Sequence, residues 1–273
     1  MRKGASWFNM VSVTFGLAFL YLPIVLLVAY SFNAGRLVTV WSGFSFRWYA
    51  ALLKDQQMLD AAWMTIRLGV VSATLATILG TLAAIGLVRG GRFRGRLLFS
   101  GMTYAPLVMP EVIMGLSMLL LFVAIGMQRG FWTLLIAHTT FTLCYVTVVV
   151  QSRLISFDKS LEEAAQDLGC PPWRMFFEVT LPNIAPAVAA GWMLALTLSL
   201  DDLVTSSFVA GPGSTTLPMR IYSQVRLGVS PEINAVCTIL IGLVATGVII
   251  ASIAGKLRDD PQGGVAGLAR AAA

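Results

Sequence analysis

From Gly4 to Gly35 the chain carries no charged residue. That run exceeds the ~20 apolar residues needed to cross a hydrocarbon core ~30 Å thick. It is also far longer than the ~7–15-residue apolar region of a secretory leader, so it is read as an uncleaved first span. In lipid, every backbone N–H and C=O must be satisfied inside the protein, and a continuous apolar run does this as a helix. Further apolar runs recur along the chain, and spans are predicted at about 8–31, 62–88, 98–126, 131–152, 186–209 and 233–255. Hydrophobic residues make up 57% of the chain and charged ones 12%, against roughly 25% charged in a soluble domain. The expected fold is all-α: a polytopic membrane protein with six transmembrane helices in one domain, 1–260, and a mobile tail, 261–273.

Six spans put both termini on one side. That side holds twelve lysines and arginines, the other six, so the positive-inside rule places both termini and the 153–185 loop in the cytoplasm. Ala76, Gly80 and Ala84, spaced by four, give the second span a face for close helix packing. Pro106 and Pro110 are expected to kink or break the third. Polar segments 33–60 and 210–232 fall outside. Phe46, Trp48, Tyr49, Leu52 and Leu53 in the first suggest a helix lying at the membrane surface. Three scattered cysteines form no disulfide framework. One histidine argues against a catalytic metal, and no HExxH, GxSxG, Walker A or GxGxxG pattern occurs. The net charge of +6 follows from topology, with no nucleic-acid partner.

The loop between the fourth and fifth spans reads DKSLEEAAQDLGCPPWRMFFEVTLP over 158–182. Leu161, Ala164, Ala165 and Leu168 share one helical face. Ser160 with Glu163 makes a capping-box start, and Gly169 fits a helix C-terminus. Pro171 and Pro172 open a second short helix, which carries Trp173, Phe176 and Phe177 and is expected to end near Leu181-Pro182. The result is a part-acidic, part-aromatic surface suited to a partner's groove. Glu163-Ala164-Ala165, Gly169 and Leu181-Pro182 resemble the EAA motif of ABC importer permeases, with Val179 where the pattern has Ile. The resemblance implies coupling helices that dock on a separate ATP-binding subunit. Its implied docking set is Glu162, Glu163, Ala164, Ala165, Gly169, Trp173, Phe176, Leu181 and Pro182, with Glu162 and Glu163 meeting basic groups on the ATPase.

Ionisable residues inside a membrane are costly and are functional candidates by default. The spans contain Arg67, Glu111, His138, Asp201 and Asp202. At ~1.5 Å per residue in a core ~30 Å thick, all five fall in one layer of the outer half. One reading is structural, with Arg67 neutralising an acid and His138 hydrogen-bonding across helices. The other is that surplus acids line a water-filled path for a di- or tri-cationic solute, with Tyr104, Tyr145 and Trp192 offering cation–π contacts. Adjacent helical residues point about 100° apart, so Asp201 and Asp202 need not both face that path.

The runs 196–204, 207–209 and 211–213, with 105–111, 30–33 and 39–43, resemble the polyamine (putrescine and spermidine) importer permeases. This implies an importer in a bacterial inner membrane with a second, different permease, an ATPase dimer and a periplasmic polyamine-binding protein. The chain itself would bind no cofactor, ATP and Mg residing on the ATPase. Two alternatives stand beside it: a permease for another cationic solute (an opine, an amino acid or an iron chelate), and a proton-coupled secondary transporter with Asp201 and Asp202 as relay.

Overall fold

A computed structural model describes residues 7–37, 40–227 and 231–259, with the backbone alone described at 243–244 and 248–259. The tail expected to be mobile lies outside the described residues. Those residues form helices and no strand; Asn33 and Phe44 make one isolated bridge.

Among the described residues, four helices are long and apolar enough to cross a membrane: Trp7–Ser31, Gln56–Arg89, Phe131–Ser156 and Pro172–Asp201. Glu111–Ala124 is a shorter apolar helix, and Pro231–Gly247 is a shorter apolar stretch within the helix Pro231–Asp259. The chain divides into two compact units, one from the residues up to Gln56 and from Gln224 onward, the other over Gln57–Ser223.

In the first unit, α1 (Trp7–Ser31) and α2 (Arg47–Leu52) both pack on α12 (Pro231–Asp259). The link between α1 and α2 is organised by Asn33. Its side chain accepts from Ser42 N–H (2.8 Å) and donates to the Val40 carbonyl (2.7 Å). Its own carbonyl accepts from Trp48 Nε1 (2.7 Å). The predicted surface patch is therefore split: Trp48 and Leu52 are buried, while Phe46 and Leu53 remain exposed.

The second unit holds nearly all of α3 (Gln56–Arg89), α4 (Arg96–Val108), α5 (Glu111–Ala124), α6 (Phe131–Ser156) and α7 (Ser160–Asp167), then α8 (Pro172–Met175), α9 (Leu181–Asp201), α10 (Val204–Val209) and α11 (Leu217–Leu227) as far as Ser223. The third predicted span is two helices. Met109 is extended, with ψ 138°, as a residue before proline prefers, and Pro110 has no N–H to continue the ladder. The fifth also differs from expectation. Its helix does not begin near 186 but runs from Pro172, and it breaks at Asp202 before α10. In the second polar segment α11 forms and is tied to α3 by Leu217 N–H donating to Thr65 Oγ1 (2.7 Å).

The core sits where α3, α6 and α9 meet. Ala73, Ala76 and Ala84 pack with Val146, Val150, Ile184 and Ala195. A Cβ on Gly80 would lie 2.9 Å from Val146 Cβ and 3.0 Å from the Leu143 carbonyl, so the small-residue face is used for close approach to α6. Gly80→Ala is expected to lower the melting temperature of the purified protein, by the ~1–3 kcal/mol typical of overpacking. Gly86→Ala, on the same helix but with nothing within 4 Å, should leave it unchanged or raise it, because alanine relieves ~1 kcal/mol of helix penalty. Equal losses in both would contradict this packing.

Candidate functional site

The 158–182 loop folds as two short helices, with a different start and end from those predicted. Helix α7 is capped by Asp158, whose Oδ1 accepts from Ser160 N–H (2.9 Å), and no Ser160–Glu163 box forms. That N–H, and then the Ser160 hydroxyl, hold the Asp158 carboxyl below its ordinary range. The C-terminus closes as expected at Gly169, φ +78°. Gly169 N–H donates to the Gln166 carbonyl and Cys170 N–H to the Ala165 carbonyl, the paired bonds of a Schellman ending. Pro172 sits at the first position of α8.

The second helix does not end near Leu181-Pro182. Residues 176–180 form a π-turn, with Leu181 N–H bonded to the Phe176 carbonyl, and the helix continues into α9. The wider turn takes the register past Pro182, which lacks an N–H. Asn183 Nδ2 meets the Val179 carbonyl there (2.7 Å).

The two glutamates part company. Glu163 is exposed and pairs with Lys159 one turn away (3.0 Å). Glu162, expected to meet a partner's basic groups, is turned inward at 6% exposure. Its carboxylate accepts from Thr180 Oγ1 (2.8 Å) and pairs with Arg89 Nε at the end of α3 (2.9 Å). The predicted face Leu161, Ala164, Ala165, Leu168 is largely open, with Leu168 at 89% exposure. Trp173 and Phe177 are exposed, Phe176 packs edge-on to Phe177 (5.0 Å), and Pro182 is exposed while Leu181 joins the core.

A second cluster forms at the helix breaks. Asp202 caps α10: its carboxylate accepts from Thr205 N–H (3.2 Å), Ser206 N–H (2.7 Å) and Ser206 Oγ (2.7 Å). His138 Nε2 lies 3.4 Å from the same carboxylate and 3.0 Å from Ser206 Oγ, and Nδ1 lies 2.7 Å from Ser199 Oγ. Ser199 reaches Ser72 on α3 (3.1 Å). His138 thus bonds across helices, as one of the two readings has it. Arg67 stacks over Phe131, 4.4 Å from the ring centroid, and among the described residues forms no ion pair with an acid.

Glu111 and Asp201 are exposed, and among the described residues neither forms an ion pair. Each lies four residues ahead of the close contact between α5 and α10, where a Cβ on Gly115 would meet the Phe208 ring at 2.7 Å and Thr205 Cα at 3.3 Å. The three aromatics are half-buried. Tyr104 donates to Gln151 Oε1, Trp192 Nε1 donates to Thr74 Oγ1 (3.1 Å), and Tyr145 packs edge-on to Phe141 (5.4 Å). No group of three or more potential metal ligands comes together among the described residues.

Residues 76–259 match the family model described as the binding-protein-dependent transport system inner membrane component. The chain belongs to that family. This transport component is 54% identical over 242 residues to the putrescine transport system permease protein PotI of Escherichia coli K12, covering 86% of each chain. It is 46% identical to the spermidine/putrescine transport system permease protein PotC of the same strain, covering 90% of this chain and 92% of that one.

Its fold is shared with a chain of a bacterial ABC transporter that imports the acidic polysaccharide alginate (TM-score 0.69, 19% identity, 91% of this chain and 94% of that). It is also shared with a chain of the MetNI methionine ABC transporter (TM-score 0.60, 17% identity, 76% and 95%).

Sequence reasoning missed Arg89, Thr180, Ser72, Ser199 and Ser206 as parts of these clusters. Only Ser206 had a local signal: an Asp four residues before it, at a helix start. The others act across sequence distances that leave no pattern.

Proposed function

We propose that this transport component is a permease of an ATP-driven importer for putrescine or spermidine. The likeness to PotI over most of both chains carries this reading. Six spans, with the broken α4–α5 pair as the third and both termini cytoplasmic, give one half of the path, a second permease the other. A periplasmic binding protein delivers the polycation to the outer segments. Glu111 and Asp201 receive it in place of that protein's carboxylates, beside Tyr104, Tyr145 and Trp192. Asp202, committed to the α10 cap and His138, serves the path by holding the break. Binding has to be weak, because a deep well would trap a polycation.

On the cytoplasmic side, Glu163, Leu161, Leu168 and Trp173 offer an open acidic and apolar surface to an ATPase dimer that carries ATP and Mg. Exposed apolar patches of this kind are supported as docking surfaces by their cost in water. Glu162, with Arg89 and Thr180, holds that surface against α3 and the π-turn.

The test is uptake of labelled putrescine and spermidine into liposomes holding the assembled complex, with ATP inside and binding protein outside. ATP-dependent uptake of either is expected. An active ATPase complex that takes up neither would overturn the substrate assignment. In the same assay Glu163→Ala should keep its melting temperature and assembly but hydrolyse ATP without matching uptake. Normal uptake by that variant would remove Glu163 from the docking surface.

A further inference from the structure

One imidazole spans the α9–α10 break. Ser199 lies before the break, and Asp202 and Ser206 lie after it. His138 touches all three, through Nδ1 on one side (2.7 Å to Ser199 Oγ) and Nε2 on the other (3.0 Å to Ser206 Oγ, 3.4 Å to Asp202 Oδ2). The ring is 1% exposed and stands on α6, a helix that is unbroken over Phe131–Ser156. Thr142 Oγ1 donates to the His138 carbonyl one turn on (2.7 Å).

Between the tied residues lies Asp201, which is exposed, while its neighbour Asp202 is held at 9% exposure. Asp202 has ψ 117°, so the chain changes direction directly after Asp201. A free helix end frays, and its last side chain samples many directions. Here both sides of the break are fastened to the same ring.

We propose that His138 is a positioning residue: by joining Ser199 to Ser206 and Asp202 across the break, it sets the direction in which Asp201 points. The proposal rests on the reading that Asp201 lines the substrate path. Its physical core, the placement of residue 201, can be measured without transport. Asn and Gln divide the imidazole's two functions. His138→Asn keeps a polar group near the Nδ1 position and so the tie to Ser199. His138→Gln keeps one near Nε2 and so the tie to Ser206. Neither spans the break.

The experiment is cysteine labelling in the assembled complex. Cys170 and Cys237 are replaced by alanine, and Cys144, which is buried, is kept. Asp201→Cys and, as control, Thr197→Cys on the exposed side of α9 one turn earlier are treated with a methanethiosulfonate ammonium reagent. His138→Asn and His138→Gln are each expected to change the labelling rate at 201 by about tenfold, equivalent to ~1.4 kcal/mol, and at 197 by less than about twofold. Ser206→Ala, which leaves the ring in place, should reproduce part of the effect.

An unchanged rate at 201 in both His138 variants overturns the proposal. Equal changes at 201 and 197 also overturn it, since they would mean a general loosening of α9. Polyamine uptake is measured separately on the His138 variants with Asp201 intact. A labelling effect at 201 with no uptake of polyamine by the unmodified complex would uphold the positioning role and overturn the transport reading instead.

Discussion

Glu162→Ala is expected to lower the melting temperature of the complex and to separate ATP hydrolysis from uptake. The carboxylate it removes is shared by Arg89 Nε (2.9 Å) and Thr180 Oγ1 (2.8 Å). Glu162 and these two partners come from three different elements: helix α7, the end of α3 and the π-turn that leads into α9. Removing one partner of a buried ion pair costs about 3–5 kcal/mol because the other charge is left behind. The Arg89 side chain is 21% exposed, so water takes up part of that charge and the cost falls near the lower end, about 3 kcal/mol. The functional loss follows from the same contacts: without them α7 can move without moving α3. Calorimetry and the ratio of uptake to ATP hydrolysed measure the two effects.

Two controls sharpen the result. Glu163→Ala removes only an exposed pair of the kind worth ~0.3–0.5 kcal/mol, so it should affect coupling but not melting. Arg89→Met combined with Glu162→Leu leaves no unpaired charge and is expected to recover most of the stability. A Glu162→Ala complex that melts within about 1 °C of the parent would show that the pair does not hold the loop, because ~3 kcal/mol shifts melting by several degrees.

Asp201→Asn is expected to cut ATP-dependent polyamine uptake by about tenfold or more, with assembly intact. A charge-assisted contact is worth ~1.5–3 kcal/mol, and each ~1.4 kcal/mol is a factor of ten. The residue is exposed at the end of α9, so the substitution removes no internal ion pair. Asp202→Asn should act differently. An amide oxygen can accept part of what the carboxylate accepts from Thr205 and Ser206, but its NH2 group then faces a donor. A loss of about 1–3 kcal/mol in stability is expected, the cost of an unsatisfied buried group. Uptake unchanged in Asp201→Asn would assign this acid no part in the path.

Much of the architecture was legible because lipid imposes a simple rule on a chain. The uncharged run that ends at Gly35 had to carry a membrane-length helix, which is Trp7–Ser31, Pro110 had to interrupt the ladder, and Ala76, Gly80 and Ala84 had to lie on one close-packing face. Gly169 and Pro172 likewise punctuate the loop where their backbone preferences require. The period of a helix can be read from its own residues, and so can its breaks.

What the sequence could not settle was which of two neighbouring acids turns inward. Glu162 and Glu163 are adjacent, as are Asp201 and Asp202, and adjacent helical residues point about 100° apart. The choice was made by Arg89 and Thr180 in one case and by His138 and Ser206 in the other. Arg89 and His138 reach these acids from other helices. A local pattern fixes the faces of a helix, but only packing decides which face meets a charge, and burying a charge is tolerable only where its partner already stands.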